Sequence, residues 1–231
     1  DVFAACGPIA EMHPYVIPGA LTRLSKARHA NPNEPRTGAL LRALVTAFRL
    51  QNGVDYEFAP RGLAEIASSL IHYPRARIVL EVLSCVLERS LRSLRRFGGR
   101  ETATLVWAFA KMSNVLRYAE LFQPLAEHAK AIVDREFNSY DVALTAWAFA
   151  KVDGLAGDSG RRLFDVLERA ACYFLREFNA QDASNCAYAF ATVIPRSDFF
   201  SLLASELDVR RDLLQRANFV EHVQFAWAFA R

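Results

Sequence analysis

The chain of 231 residues contains little cysteine, glycine and proline, and it has no long apolar run. Its four cysteines are Cys6, Cys85, Cys172 and Cys186, and no two of them form a Cys-x-x-Cys pair. This spacing argues against a disulfide scaffold or a zinc site, so we interpret them as small core residues in a reducing compartment. No run of about 18 apolar residues occurs, so we expect no membrane-spanning helix. The ten glycines and nine prolines lie mostly near predicted helix ends, which disfavours a strand-and-turn architecture.

Sequence motifs of catalysis are also lacking. The five histidines have no metal-ligand spacing, and neither a Gly-x-Ser-x-Gly elbow nor a paired-carboxylate motif occurs. The glycine-rich segment 154–160 lacks the Gly-Lys-Ser/Thr ending of a phosphate-binding loop. We therefore expect no enzymatic activity, no cofactor and no bound metal.

Lysine is scarce among the basic residues, since only four of the 28 are lysine and the rest are arginine. Residues 1–100 carry 14 basic and 8 acidic residues, whereas residues 101–231 carry 14 and 17. Arginine suits phosphate forks and base stacking, although genome composition explains its excess equally well. The densest basic cluster is Arg89, Arg92, Arg95, Arg96 and Arg100. We interpret it as a candidate phosphate-binding ridge, with a merely solvated helix face as the alternative.

A six-residue phrase is the strongest positive signal in the chain. It reads Trp-Ala-Phe-Ala-Lys-Met at Trp107, recurs at Trp147 and Tyr188, and ends the sequence at Trp227. The aromatic anchors recur at a period of about 40 residues, which predicts stacked helical units and hence an α-α solenoid. Because the sequence begins with Asp1 and stops inside the fourth copy, we expect it to be part of a longer protein.

Each phrase is preceded by a helix-start signal. Asn138, Asn179 and Asn218 stand nine residues before their anchors, and an acidic residue follows each asparagine after three positions. This pattern predicts a capping box and a first helix of roughly 12–14 residues, followed by a second amphipathic helix. The first copy has Gly98 in place of asparagine. We expect the aromatic anchors to be equivalent buried residues that pack against the partner helix and the next unit, and stacking platforms for bases are the alternative.

The period divides the chain into predicted segments. Residues 1–57 form an irregular, partly helical N-terminal segment with one short helix near Leu21–His29. The helical repeats span 58–231, as a degenerate unit 58–97, the units 98–137, 138–178 and 179–217, and a truncated unit 218–231. In the degenerate unit we expect helices over Leu63–Tyr73 and Arg75–Phe97.

The combination Phe-Asn-x-x-Asp followed by Trp-Ala-Phe-Ala-Lys resembles the octotricopeptide repeat family. It is equally similar to the related repeats of apicomplexan and dinoflagellate organellar proteins, which often accompany a RAP domain and resemble those of FAST-kinase-like proteins. The resemblance is clear over residues 97–231 and weaker over 58–96, and Gly98, Tyr188 and Thr192 depart from the pattern. It implies a right-handed α-α solenoid that binds RNA in a mitochondrion or plastid.

A polar strip runs along the first helix of each unit. On a helical wheel, positions −7, −3 and +4 relative to the anchor fall at about 20°, 60° and 40°, so they share one face. These positions hold Arg100, Thr104 and Lys111 in the first copy; Tyr140, Leu144 and Lys151 in the second; Gln181, Asn185 and Thr192 in the third; Val220, Gln224 and Arg231 in the fourth. Varied polar residues on a repeated scaffold are what base reading by helical repeats requires, although any surface helix has a solvated strip.

We therefore expect an organellar RNA-binding helical-repeat protein, acting as a constituent of a ribonucleoprotein such as the mitochondrial ribosome. Its expected partners are organellar ribosomal RNA or transcripts and neighbouring proteins of that particle. Two alternatives stay open: a protein–protein scaffold, and an RNA-processing factor whose catalytic domain lies outside this sequence.

Overall fold

The computed structural model describes residues 16–26, 31–50, 58–73, 75–112, 119–152 and 158–231. Over these residues the protein is all-helical and contains no β-strand, which confirms the predicted all-α class. The described helices are α1 (Val16–Lys26), α2 (Pro35–Leu50), α3 (Pro60–Ser69), α4 (Arg77–Arg92), α5 (Gly99–Lys111), α6 (Ala119–Glu136), α7 (Ser139–Lys151), α8 (Asp158–Phe174), α9 (Ala180–Val193), α10 (Phe199–Val209), α11 (Arg211–Arg216) and α12 (Phe219–Ala230). Short 3₁₀ turns follow α4 and α8, at Leu94–Arg96 and Leu175–Glu177.

The chain divides into two compact units. The first comprises Asp1–Phe97 with Lys111–Arg117, and the second comprises Gly98–Ala110 with Tyr118–Arg231. Within the first unit, α1 packs on α3, α2 packs on α4, and α3 also contacts α4. Alternate helices in the chain are therefore neighbours in space.

The helices of the first unit differ in extent from the sequence prediction. The predicted helix near residues 21–29 begins earlier, at Val16, because a proline is tolerated in a first helical turn and Pro18 lies there. The end of that prediction, residues 27–29, lies outside the described residues. Both α2 and α3 start with a proline, which suits the first helical position. The helix predicted over 75–97 is shorter than expected, since α4 ends at Arg92 and a 3₁₀ turn follows it.

The second unit alternates two kinds of helix. The helices that carry the repeated phrase are called the A helices, and they are α5, α7, α9 and α12. The helices that follow the first three of them are called the B helices, and they are α6, α8 and α10. Neighbouring A helices pack together in the pairs α7–α9 and α9–α12, and neighbouring B helices in the pairs α6–α8 and α8–α10. The A and B helices also contact each other, in the pairs α7–α8, α8–α9 and α9–α10.

The predicted capping boxes are present at three A helices. The backbone N–H of Asp141 donates to the side-chain oxygen of Asn138 at 3.0 Å, and the Asn138 N–H donates back to the Asp141 carboxylate. The same reciprocal pair recurs at α9 and at α12, with the equivalent asparagine and acidic residues. At α5, a Cβ added to Gly99 would lie 2.4 Å from the carbonyl oxygen of Glu136, so the chain passes too close there for a side chain.

The core of the second unit is organised around the phenylalanine of the phrase. Phe109, Phe149 and Phe190 are essentially inaccessible to solvent. An aromatic ring in the first turns of the preceding B helix meets the phrase phenylalanine edge-on in each described case. The ring pairs are Phe122–Phe149 at 6.0 Å, Phe164–Phe190 at 6.3 Å and Phe200–Phe229 at 5.9 Å between centroids. These pairs join each B helix to the A helix that follows it.

The prediction that the aromatic anchors are equivalent buried residues is wrong. Trp107, Trp147 and Tyr188 are half-buried, and Trp227 is 38% exposed. The phenylalanine two positions later is about 200° away on the wheel, and it takes the buried position instead. The anchors therefore lie at the margin of the solvent-facing side of the A helices.

Candidate nucleic-acid interface

The predicted polar strip lies at the surface of the A helices over most of its length. Arg100, Tyr140, Gln181 and Arg231 are exposed, as is Lys151. Thr104, Asn185, Thr192 and Gln224 are half-buried, and Lys111, the last residue of α5, is exposed. Side chains one to two helical turns apart on the same helix therefore share this surface.

Two positions of the strip do not present polar groups. Leu144 is buried with 6% exposure, so α7 offers no polar side chain at the −3 position. The strip is therefore interrupted at this helix. Val220 on α12 is exposed but apolar. The half-buried Thr192 hydroxyl donates to the backbone oxygen of Tyr188 at 2.7 Å, which engages it within its own helix. The polar groups best placed for a ligand are therefore those of the first turns and the last residues of the A helices.

The exposed charges of the A helices are all of one sign. Their exposed charged side chains, together with the residue that ends α12, are Arg100, Lys111, Lys151 and Arg231. The acidic residues of α7, α9 and α12 are instead buried at the third helical position, where they complete the capping boxes. No ion pair within the described residues involves Arg100, Lys151 or Arg231. The helix-capping pattern thus removes negative charge from this surface.

Burial raises the pKa of the cap carboxyls at Asp141 and Asp182, because desolvation disfavours their charged form. Backbone hydrogen bonds from the N-cap asparagines oppose this shift of the pKa. One carboxylate oxygen of Asp141 is buried and has no hydrogen-bond partner among the described residues. The protonated form of Asp141 is therefore favoured more than it is in water.

The B helices present a different surface. On α6 the exposed charged residues are Glu127, Asp134, Arg135 and Glu136, and on α8 they include Asp165 beside Arg161 and Arg169. Acidic and basic side chains are therefore interspersed, as on an ordinary solvated surface. The uniform sign is particular to the A helices of this unit.

Arg100, Tyr140 and Asp182 are brought near one another at the N-terminal ends of three A helices. The pKa of the Tyr140 hydroxyl is raised, first by desolvation and then by the Asp182 and Asp141 carboxylates, while Arg100 opposes the shift. Arg100 also acts to lower the pKa of Asp141. The structure thus places one cation and one phenol, drawn from neighbouring helices, at one end of the strip.

The aromatic anchors lie at the margin of this surface, whereas the sequence analysis favoured buried anchors. The rings of Tyr188 and Trp227 pack against each other with centroids 5.2 Å apart, and the Arg231 guanidinium lies 5.2 Å from the Trp227 ring centre. Because the two rings already contact each other, a nucleic-acid base does not fit between them. The position of the anchors on the helical wheel, directly beside the strip, was the signal that could have placed them here.

The arginine ridge predicted over residues 89–100 does not behave as one set of exposed cations. Arg89 donates from its guanidinium to the backbone oxygen of Phe48 at 2.8 Å, within the first unit. Arg92 pairs with Glu88 one turn earlier on α4, and both side chains are largely exposed. Arg95 and Arg96 lie exposed in the 3₁₀ turn, whereas Arg100 belongs to the second unit.

Other kinds of site find little support in the described part of the chain. No group of three His, Cys, Asp or Glu side chains there is arranged to hold a metal ion. The thiols of Cys85, Cys172 and Cys186 are free, and burial raises the pKa of each. No described helix has the length and apolar character needed to span a membrane. No protein-family model matches the chain, and no curated protein is significantly similar to it in sequence.

Proposed function

We propose that the second unit is an α-α solenoid whose A helices bind single-stranded RNA through the strip defined above. The observation that carries this proposal is that the exposed charged residues of the A helices are all positive, whereas those of the B helices have both signs. RNA binding depends on phosphate contacts, which a surface free of exposed carboxylates favours. Gln181, Asn185 and Gln224 supply amide groups that read base edges.

Support for a solenoid comes from the contacts within the second unit. The A helices α7, α9 and α12 pack in sequential order, as do the B helices α6, α8 and α10, and each phenylalanine pair joins a B helix to the next A helix at nearly the same distance. Repeats that contact only their neighbours generate an extended binding surface. The resemblance to octotricopeptide repeats adds an organellar ribonucleoprotein, such as the mitochondrial ribosome, as the proposed setting.

The proposal is tested by measuring RNA affinity at several salt concentrations. A variant with Arg100→Gln, Lys151→Gln and Arg231→Gln removes three strip cations while preserving helix propensity. For single strands each phosphate contact contributes about 0.7 to the slope of log affinity against log salt, so the slope should flatten by about 2. Fluorescence anisotropy with a labelled single-stranded RNA measures it.

The matched control removes the same charge from the B helices. Arg135→Gln, Arg161→Gln and Arg169→Gln change three exposed arginines of α6 and α8. If both triple variants flatten the slope equally, binding follows net charge and the strip is not the interface. Weak binding by the unmodified chain, with no salt-dependent difference, would favour the protein–protein scaffold instead.

A further inference from the structure

The outer face of α12 exposes large apolar side chains. Val223 is 50% exposed and Phe229 is 46% exposed, although both stand on an A helix with a complete capping box. Phe219, in the first turn, is also exposed, as is Ala226. We call Phe219, Val223, Ala226 and Phe229 the α12 outer face. A contiguous apolar face of this kind marks an interaction surface rather than ordinary solvated helix.

The positions of Val223, Ala226 and Phe229 are buried in the earlier A helices α7 and α9. Val223 corresponds to Ala143 on α7 and to Ser184 on α9, and both of these are inaccessible to solvent. Ala226 corresponds to Ala146 and Ala187, and these two residues are also fully buried. The phrase and the capping box place α12 in register with α7 and α9, so the comparison is position by position. The exposure is therefore a property of the place of α12 in the stack and not of a different helix type.

The structure also identifies what buries these positions in α9. Phe190 meets Phe164 of the preceding B helix at 6.3 Å and Phe199 of the following B helix at 4.9 Å. The next A helix, α12, then packs along α9. By contrast, Phe229 meets Phe200 of the preceding B helix at 5.9 Å. Among the described residues, no following B helix supplies a second ring.

We infer that the α12 outer face is a docking surface for one further helical hairpin of the B–A type. The first helix of that hairpin carries a large apolar residue near its start, as α10 does at Phe199, and this residue packs on Phe229. Its second helix packs along Val223 and Ala226, as α12 packs along α9. This docking does not depend on RNA binding, because it concerns a different face of α12.

Two observations favour a hairpin over other occupants. The face continues the interface that α9 and α10 already make with α12, so a further hairpin repeats an established packing. Pairing of two copies through α12 alone would join helices about 18 Å long, a strip well below the roughly 800 Å² that each partner buries in a stable complex. The four residues of the face are all apolar, so the face offers no cation for nucleic-acid phosphates.

The test extends the chain by a hairpin of known sequence. Arg231 and Lys151 both stand four residues after their anchors, so a copy of residues 152–193 appended after Arg231 continues the repeat in register. We expect amide protection of α12, measured by hydrogen exchange, to increase at least about 10-fold relative to the unextended chain. A control extension carries Asp at the copied position of Leu163, which aligns with Phe199, and should give less than about 2-fold.

A paired substitution makes the result independent of how well the extension folds. Val223→Asp should leave the melting temperature of the unextended chain nearly unchanged, because the site is solvent-exposed, and should lower that of the extended chain by several degrees. Equal effects in both chains, or equal protection by both extensions, would overturn the proposal. So would a dimer of the unextended chain, detected by sedimentation equilibrium, that Val223→Asp dissociates, because a second copy would then be the occupant.

Discussion

Replacing Phe149 by alanine should destabilise the second unit more than replacing its neighbour Trp147, although tryptophan is the larger residue. Phe149 is 1% exposed and meets the Phe122 ring edge-on at 6.0 Å. Trp147 is only half-buried, at the margin of the strip. Truncating a fully buried phenylalanine costs about 3–5 kcal/mol through lost burial and the cavity left behind. An edge-to-face ring pair contributes about 0.5–1.5 kcal/mol of stability beyond burial.

The magnitude for Trp147→Ala follows from its partial exposure. Only the buried part of the indole is lost from the core, so we expect about half the cost of Phe149→Ala or less. In a chain of this size, each kcal/mol lowers the melting temperature by about 2–4 °C. Phe149→Ala should therefore lower it by roughly 6–20 °C, and Trp147→Ala by clearly less.

The assay is urea unfolding followed by far-ultraviolet circular dichroism, with thermal melts in parallel. Phe109→Ala and Trp107→Ala form a matched pair in the preceding A helix, and the same order should hold there. If the tryptophan variants prove the more destabilised in both helices, the anchors are the core residues after all. The contrast between buried phenylalanine and marginal anchor would then be refuted.

Two further predictions concern charges. The native pKa of Asp141 is raised above its ordinary value of 3.8, chiefly by burial, so the native state binds this proton more tightly than the unfolded state. The stability that this proton contributes is therefore fully present below pH 3.8 and is lost as pH rises through the native pKa. In urea titrations, the free energy of unfolding should fall less over this pH range for Asp141→Asn than for the unmodified chain. Identical pH profiles of the two proteins would contradict the prediction. Arg89→Gln removes a charge-assisted hydrogen bond to the Phe48 carbonyl, so it should cost about 1–3 kcal/mol in urea unfolding. Because that guanidinium is engaged within the fold, the salt slope of RNA binding should stay the same, and a flatter slope would restore Arg89 to the phosphate ridge.

The local structure of the repeats was predictable because it rests on short-range signals. An asparagine followed three residues later by an acidic residue defines the start of α7, α9 and α12, and each forms the expected capping box. Such a motif needs no knowledge of the rest of the fold, since the two side chains bond within one helical turn. The all-α class followed from the same periodicity.

Burial within the phrase was not predictable, because it depends on which neighbour each face meets. Tryptophan and phenylalanine both have aromatic side chains of high core propensity, and composition alone does not decide between them. The aromatic residue near the start of each B helix selects the phenylalanine, through contacts between residues far apart in the sequence, as the pairs Phe122–Phe149, Phe164–Phe190 and Phe200–Phe229 show. Sequence reasoning did not identify that residue, since its spacing from the phrase differs from one repeat to the next.

The candidate site was predictable in position but not in electrostatic character. A helical wheel places Arg100 and Lys151 on one face of their helices, which the exposure of both residues matches. That the acidic residues of α7, α9 and α12 are withdrawn into buried caps became visible only in three dimensions. For the same reason, the wheel did not separate the engaged Arg89 from its exposed neighbours.

Gln181 gives a test in which stability and RNA binding should move in opposite directions. It is exposed at the second position of α9, beside the buried cap carboxyl of Asp182. Gln181→Glu places a negative charge at the positive end of the helix dipole, so it should stabilise the fold by about 0.3–1 kcal/mol. The same charge would be an exposed carboxylate on the strip, so RNA affinity should fall, most strongly at low salt. Gln181→Lys should show the reverse on both counts, with urea unfolding and anisotropy titrations as the measurements. If RNA affinity follows stability in both variants, or does not change in either, the strip around α9 does not contact RNA.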